Sequence, residues 1–203
     1  MVVRLAEAPL RTKFGTFQEI LYYDGQHESL AIVMGEVRGQ EQVLCRLHSH
    51  CVSAHLFNSI ECDCREQMDI AQAMIEQAGA GVIIWLDQEG RGNGHLALLR
   101  SRLLYNQGVP QSEAYVQLGY AADARQYGGA AAIVRELGIR SVLLMTNSPR
   151  KIDGLQAAGI PIVGTRAVAL DPGNDAILQR FYADKQSQGH RLPFDPTARP
   201  VSD

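Results

Sequence analysis

Residues 81–94 read Gly81-Val82-Ile83-Ile84-Trp85-Leu86-Asp87-Gln88-Glu89-Gly90-Arg91-Gly92-Asn93-Gly94. The first six carry no charge and are rich in β-branched and aromatic side chains, the composition of a buried strand. They fall far short of the ~18 apolar residues a membrane span needs. A glycine-rich turn follows, and a helix is expected from about His95 to Gln107. Strand, turn and helix in succession make the chain α/β. The N–H groups of such a turn, with the dipole of the helix behind it, can hold an anion. Ordinary βα connections look the same, so the loop alone does not decide between the two readings.

The flanking segments repeat the alternation. Toward the N-terminus, Met68, Ala71, Ile75 and Ala78 recur at helical spacing before Gly79, which predicts a helix over Arg65 to Ala78. Val43 to His48 is an expected strand. Thr16 to Val37 shows strand-type alternation broken by the turn dipeptide Asp24-Gly25, an N-terminal antiparallel section. Toward the C-terminus, Gly129 to Leu137 has helical spacing and Ser141 to Met145 is a short strand. Thr146-Asn147-Ser148-Pro149-Arg150-Lys151 opens another helix, and Ile160 to Val163 is a further strand. The expectation is a three-layer α/β/α sandwich with a mixed sheet, forming one domain over 1–185. The polar, proline-containing residues 186–203 are expected to be a loosely ordered tail.

With 203 residues and 46% hydrophobic content the chain can bury one substantial core. The formal net charge is −3 and no long Lys/Arg run occurs, which argues against a nucleic-acid footprint. A few well-placed arginines still suffice for a small anionic ligand. Nothing at the N-terminus resembles a targeting segment, so a cytoplasmic protein without membrane attachment is expected.

Three of the four cysteines fall within fourteen positions, in His48-Ser49-His50-Cys51 and Glu61-Cys62-Asp63-Cys64-Arg65. Three thiolates that converge suit Zn²⁺ and leave a fourth tetrahedral position open for water. A closed structural zinc site completed by His48, His50 or His55, a disulfide, and buried inert thiols are the competing readings. Cys62 and Cys64 stand at the start of the helix predicted from Arg65, where the helix dipole favours the thiolate.

Five ordered blocks then resemble one family, GTP cyclohydrolase II. They are His48-Ser49-His50-Cys51, Cys62-Asp63-Cys64-Arg65-Glu66-Gln67, Gln88-Glu89-Gly90-Arg91, Gln117-Leu118-Gly119-Tyr120-Ala121-Ala122-Asp123-Ala124-Arg125, and Thr146-Asn147-Ser148-Pro149-Arg150-Lys151. The resemblance covers roughly Arg4 to Arg166. It implies Cys51, Cys62 and Cys64 as ligands of one Zn²⁺, and a GTP site drawing on Arg46, His48, Ser49, His50, Gln67, Glu89, Gly90, Arg91, Arg102, Thr146 and Lys151. Asp123 and Arg125 match the pair that acts on the triphosphate, with Mg²⁺ bridging phosphates, and a homodimer is implied. The implied reaction opens the guanine imidazole ring, releasing formate and pyrophosphate.

The chain departs from the family pattern at several of these positions. Arg102 stands where the family has a tyrosine near the zinc, with Tyr105 three residues on. Ser53-Ala54-His55 replaces Thr-Gly-Asp, Glu61 an arginine, and Arg65 a glycine. Asn93, His95 and Leu98 also differ. These changes keep open a diverged enzyme of a specialised pathway that opens the ring of GTP or another nucleotide but retains the formyl group, and a non-catalytic nucleotide-binding zinc protein.

Overall fold

The computed structural model describes residues 1–195. Seven strands form one mixed sheet in the order β1-β2-β3-β5-β4-β6-β7. Strands β1 (Val3–Thr12), β2 (Gly15–Tyr23) and β3 (Glu28–Met34) make an antiparallel meander that joins the edge of β5 (Gly81–Leu86). Strands β4 (Val43–Ser49), β5, β6 (Val142–Met145) and β7 (Ile162–Arg166) run parallel. The β2–β3 turn falls where Asp24-Gly25 predicts it. Its geometry is fixed by Asp24 Oδ1, which accepts from the N–H groups of Gln26 at 2.9 Å and His27 at 2.8 Å.

The helices are α1 (Val52–Phe57), α2 (Cys64–Ala78), α3 (His95–Asn106), α4 (Gln111–Gln117), α5 (Gly128–Glu136), α6 (Pro149–Ala157) and α7 (Ala176–Ser187). The sheet is covered on both faces, so the three layers expected from the sequence are present. Val82, Ile84 and Leu86 of β5 point to one side and cluster with Ala130, Ile133 and Val134 of α5 and Leu155 of α6. Ile83 points to the other side and packs with Ala71 and Ile75 of α2. Residues two apart share a face of a strand, and burial on both faces is why residues 81–86 read as one continuous apolar run.

Helix α2 begins at Cys64, one residue before the predicted start. It stops at Gly79, whose φ of 75° no side-chain-bearing residue adopts cheaply. At Gly81 a Cβ would lie 2.7 Å from Ile75 Cγ1 and 2.9 Å from the Leu44 carbonyl oxygen, so α2 and β4 close directly onto the backbone there.

Strand β1 and helices α1, α4 and α7 were not expected from the sequence. Residues 186 and 187, assigned to the loose tail, instead finish α7. Residues 188–194 make specific contacts: Arg191 N–H donates to the Asn147 carbonyl at 2.9 Å, and Phe194 packs edge-on against Tyr182. Residues 196–203 of the expected tail lie outside the described residues.

The topology locates the site. From β4 the chain passes through α2 to β5 on one side, then returns to β6 on the other side of β4. Such a reversal opens a crevice outside the carboxyl ends of the two strands, where open α/β sheets bind ligands. Ser49 ends β4, and Thr146 directly follows β6.

Candidate functional site

Fifteen of the sixteen residues singled out from the sequence line one cavity at this crevice, about 1350 Å³ including the space at its mouth. Asp123 is the exception. It stands behind Arg125, whose Nε and Nη2 donate to its two carboxylate oxygens at 3.0 and 2.6 Å.

Cys51 follows β4 just before α1, Cys62 lies in the loop after α1, and Cys64 is the first residue of α2. Their Sγ atoms lie within 4.8 Å of one another, and Cys51 and Cys62 approach to 3.8 Å. Zinc–sulfur bonds of about 2.3 Å at tetrahedral angles require sulfurs roughly 3.8 Å apart, so the donor set fits the ion. The same distance excludes a disulfide, and all four cysteines are free. Without a cation the thiols oppose one another's ionisation. Contact with Cys51 holds Cys62 up at about 12, against a contrary pull from Cys64. At Cys51 the hydrogen bond with Cys62 pulls down, but Cys64 and burial outweigh it and the thiol is pushed up to about 12. A divalent ion reverses this balance by taking the thiolates directly. Cys45 sits in the core, raised to about 12 by burial.

His48, His50 and His55 do not close the trio into a four-ligand cluster among the described residues. His48 Nε2 faces His55 Nε2 at 3.2 Å, and burial, with Arg46 and Lys151 nearby, keeps His48 neutral. His50 packs at a tilt against Trp85, ring centroids 4.8 Å apart, and meets Asp87 at 3.1 Å. The buried hydroxyl of Ser49 has no hydrogen-bond partner among the described residues.

The trio is braced from behind. Asp63, between two of the cysteines and wholly buried, accepts from the Tyr182 hydroxyl, from Gln67 Nε2 at 2.6 Å and from Lys185 Nζ at 3.2 Å. Gln67 passes the chain on by accepting from Arg46, whose other terminal nitrogen donates to the Met145 carbonyl at 2.8 Å. Burial lowers the pKa of the Arg46 guanidinium.

The glycine-rich loop forms the opposite wall. Gly90 and Arg91 both have left-handed backbone, with φ of 58° and 57°. For arginine this costs roughly 1–2 kcal/mol, and the Ala124 N–H bond to the Arg91 carbonyl at 2.8 Å holds it in place. A Cβ at Gly92 would lie 2.9 Å from the Ala124 carbonyl carbon, so the loop packs directly against the segment carrying Asp123 and Arg125. Glu89 accepts from the Val52 N–H at 2.8 Å, which ties the loop to the residue after Cys51. Lys151, on α6, is buried and donates to the Leu47 carbonyl at 2.7 Å, while burial and the neighbouring Arg46 press its pKa well down. Thr146 accepts from the Ser148 N–H at 3.1 Å.

Several of the positions read from the sequence as departures from the resembled pattern touch one another. Arg102 donates to Ser53 Oγ at 3.0 Å and pairs with Glu61 at 3.0 Å. Arg65 donates to the carbonyls of Ala54, at 3.0 Å, and His55. Arg102 and Arg65 thus hold Ser53, Glu61 and the Ala54 and His55 carbonyls around the cysteine loop. Tyr105 lines the same cavity, with its buried hydroxyl unpartnered among the described residues.

Sequence reasoning missed Asp63, Asp184, Lys185, Gln188 and His190. The α7 residues carry a signal after all: Leu178, Phe181 and Tyr182 recur at helical spacing behind the capping residue Asp175.

Residues 3–167 match the family model described as GTP cyclohydrolase II. Two riboflavin biosynthesis proteins named RibBA are among the relatives: one from Bacillus cereus, 44% identical over 80% of this chain and 42% of its own length, and one from Bacillus mycoides, 43% identical over 95% and 49%. The "monofunctional riboflavin biosynthesis protein RIBA 3, chloroplastic" of Arabidopsis thaliana is 36% identical over 100% of this chain and 40% of its own. The chain therefore spans less than half the length of these relatives. With the match covering most of its residues, it belongs to the GTP cyclohydrolase II family.

Proposed function

We propose that the chain opens the imidazole ring of GTP by hydrolysis, giving a diaminopyrimidinone ribosylamino phosphate, formate and pyrophosphate. The observation that carries this reading is the convergence, in one cavity, of three mutually adjacent thiols with Arg46, Arg91, Arg125 and Lys151. Cys51, Cys62 and Cys64 would hold one Zn²⁺, whose chemistry when bound is Lewis-acid activation of a hydrolytic water.

The remaining work falls to the chain's own groups. Asp63, held by Tyr182, Gln67 and Lys185, fixes the backbone between two ligands so that the sulfurs keep their spacing. Arg91 and Lys151 offer donors to phosphate oxygens, with Mg²⁺ arriving with the triphosphate. The Asp123 fork raises the pKa of Arg125 despite the opposing effect of burial, so Arg125 acts at the triphosphate as a fixed cation. A protonated guanidinium is a poor nucleophile, so this geometry favours charge stabilisation over bond formation by Arg125.

A second reading is favoured by one contact. Arg102, bound to Ser53 and Glu61, occupies the cavity wall where a tyrosine hydroxyl is the family pattern. An arginine supplies no acid–base group near neutral pH, so ring opening that retains the formyl group is the expected variant outcome. A cytoplasmic homodimer completes the proposal.

Formate and pyrophosphate release from GTP, measured with zinc-loaded wild type and with Cys62→Ser, tests the reading. Zinc-dependent turnover of the guanine ring supports it. An intact ring with wild type overturns it.

A further inference from the structure

Helix α7 lies beyond residues 3–167, the stretch that matches the family model, yet its last turn and the residue after it reach the cavity. Arg91 donates from Nη2 to Asp184 Oδ2 at 3.1 Å and from Nη1 to Gln188 Oε1 at 2.7 Å. The Arg91 and Asp184 side chains are only 13% and 8% exposed. The second carboxylate oxygen of Asp184 is buried with no hydrogen-bond partner among the described residues. A guanidinium fork matches a carboxylate or phosphate through two parallel bonds, and Asp184 satisfies half of that match.

The helix that presents Asp184 is thinly attached. Of its twelve residues only Leu178 and Tyr182 are buried. Its remaining hold is largely polar, through Tyr182 and Lys185 to Asp63 and through Arg180 to the Tyr105 carbonyl. Elements with few buried apolar contacts open at low free-energy cost.

We propose that Asp184 is an exchangeable occupant of the position that a ligand's phosphate takes at Arg91. A polyphosphate accepts both Arg91 donors, and Asp184, Lys185 and Gln188 move away with the last turn of α7, where the freed carboxylate regains water while Tyr182 and Gln67 keep their hold on Asp63. Exchange of one anion for another keeps Arg91 paired throughout, so the cost is the parting of α7. A triphosphate, which also meets Arg125 and Lys151, repays that cost; a neutral nucleoside does not. Asp184 thereby sets a charge threshold for ligands of this cavity. This inference rests on the nucleotide reading above and extends it to a segment outside the matched core.

Calorimetric titration of the full zinc-loaded chain with inorganic tripolyphosphate and with guanosine, for wild type and Asp184→Asn, tests it. The amide keeps the shape and removes the competing charge. Asp184→Asn is expected to bind tripolyphosphate about tenfold more tightly, with guanosine affinity unchanged. Equal or weaker tripolyphosphate binding by a folded variant overturns the exchange while leaving the nucleotide reading intact. Wild type that binds neither tripolyphosphate nor GTP removes the nucleotide reading and this inference together. Should the variant not fold, hydrogen exchange of wild type decides. Tripolyphosphate is expected to speed exchange at residues 184–188, and protection there contradicts the proposal.

Discussion

Arg125 and Asp123 form a two-pronged ion pair, with both carboxylate oxygens taken by one guanidinium two residues away and a third bond from the Arg125 N–H at 3.0 Å. Arg150 also donates to the Asp123 carbonyl at 3.2 Å. The pair is therefore a rigid, charged unit at the cavity wall. Arg125→Ala should lower pyrophosphate release by about 100-fold or more, while nucleotide affinity falls less than tenfold. Arg125→Lys should recover part of the loss if a fixed cation is what matters. Single-turnover measurement of pyrophosphate against equilibrium binding separates the two effects.

The thiol trio makes a prediction on metal content. Cys62→Ser removes one soft ligand from a site with three, so zinc should drop from one equivalent per chain to a small fraction of it. The fold should persist, because the trio lies outside both apolar clusters. Elemental analysis with circular dichroism checks both halves. Full zinc retention would remove Cys62 from the ligand set.

Arg102 is held by Glu61 and Ser53 rather than pointing freely into the cavity. If this pairing shapes the reaction, Arg102→Tyr should shift the product from a formylated pyrimidine toward free formate. Glu61→Gln should loosen Arg102 and change the formyl-to-formate ratio in the same assay. Identical products from all three proteins would make Arg102 neutral.

His190 faces a cationic wall. Burial first, then Lys185, Arg125, Lys151 and Arg91, lower its pKa to about 3. A histidine lowered on folding takes up its proton more readily in the unfolded chain. Its contribution to stability is present above the unfolded value near 6.5 and is lost as pH falls toward 3. His190→Gln should thus gain on wild type by at most about 1.4 kcal/mol per pH unit across that window. The stability difference should be flat above pH 7. Chemical denaturation at several pH values measures it, and a difference independent of pH contradicts it.

Much of the parallel core was legible because its period is unambiguous. Residues 81–86 are buried on both faces and read as one apolar run, and α2 repeats its apolar positions before a left-handed glycine. The meander was legible from Asp24-Gly25. Strand β1 was not, since most of its side chains are exposed and impose no alternation, and α4 has only seven residues. The cysteine trio was visible as a cluster, but spacing alone left its histidine neighbours as candidate ligands, which only three-dimensional placement addresses. Asp184 and Gln188 were invisible as site residues because their role depends on where α7 docks, and nothing local encodes that.

Mass spectrometry of GTP incubated with the zinc-loaded chain tests the central claim most directly, because it follows the ring atoms themselves. A ring-opened pyrimidine species, formylated or not, appearing with zinc and disappearing with Cys62→Ser, is the predicted result. Recovery of an intact purine, whether as GTP or shorn of phosphates, would contradict the account.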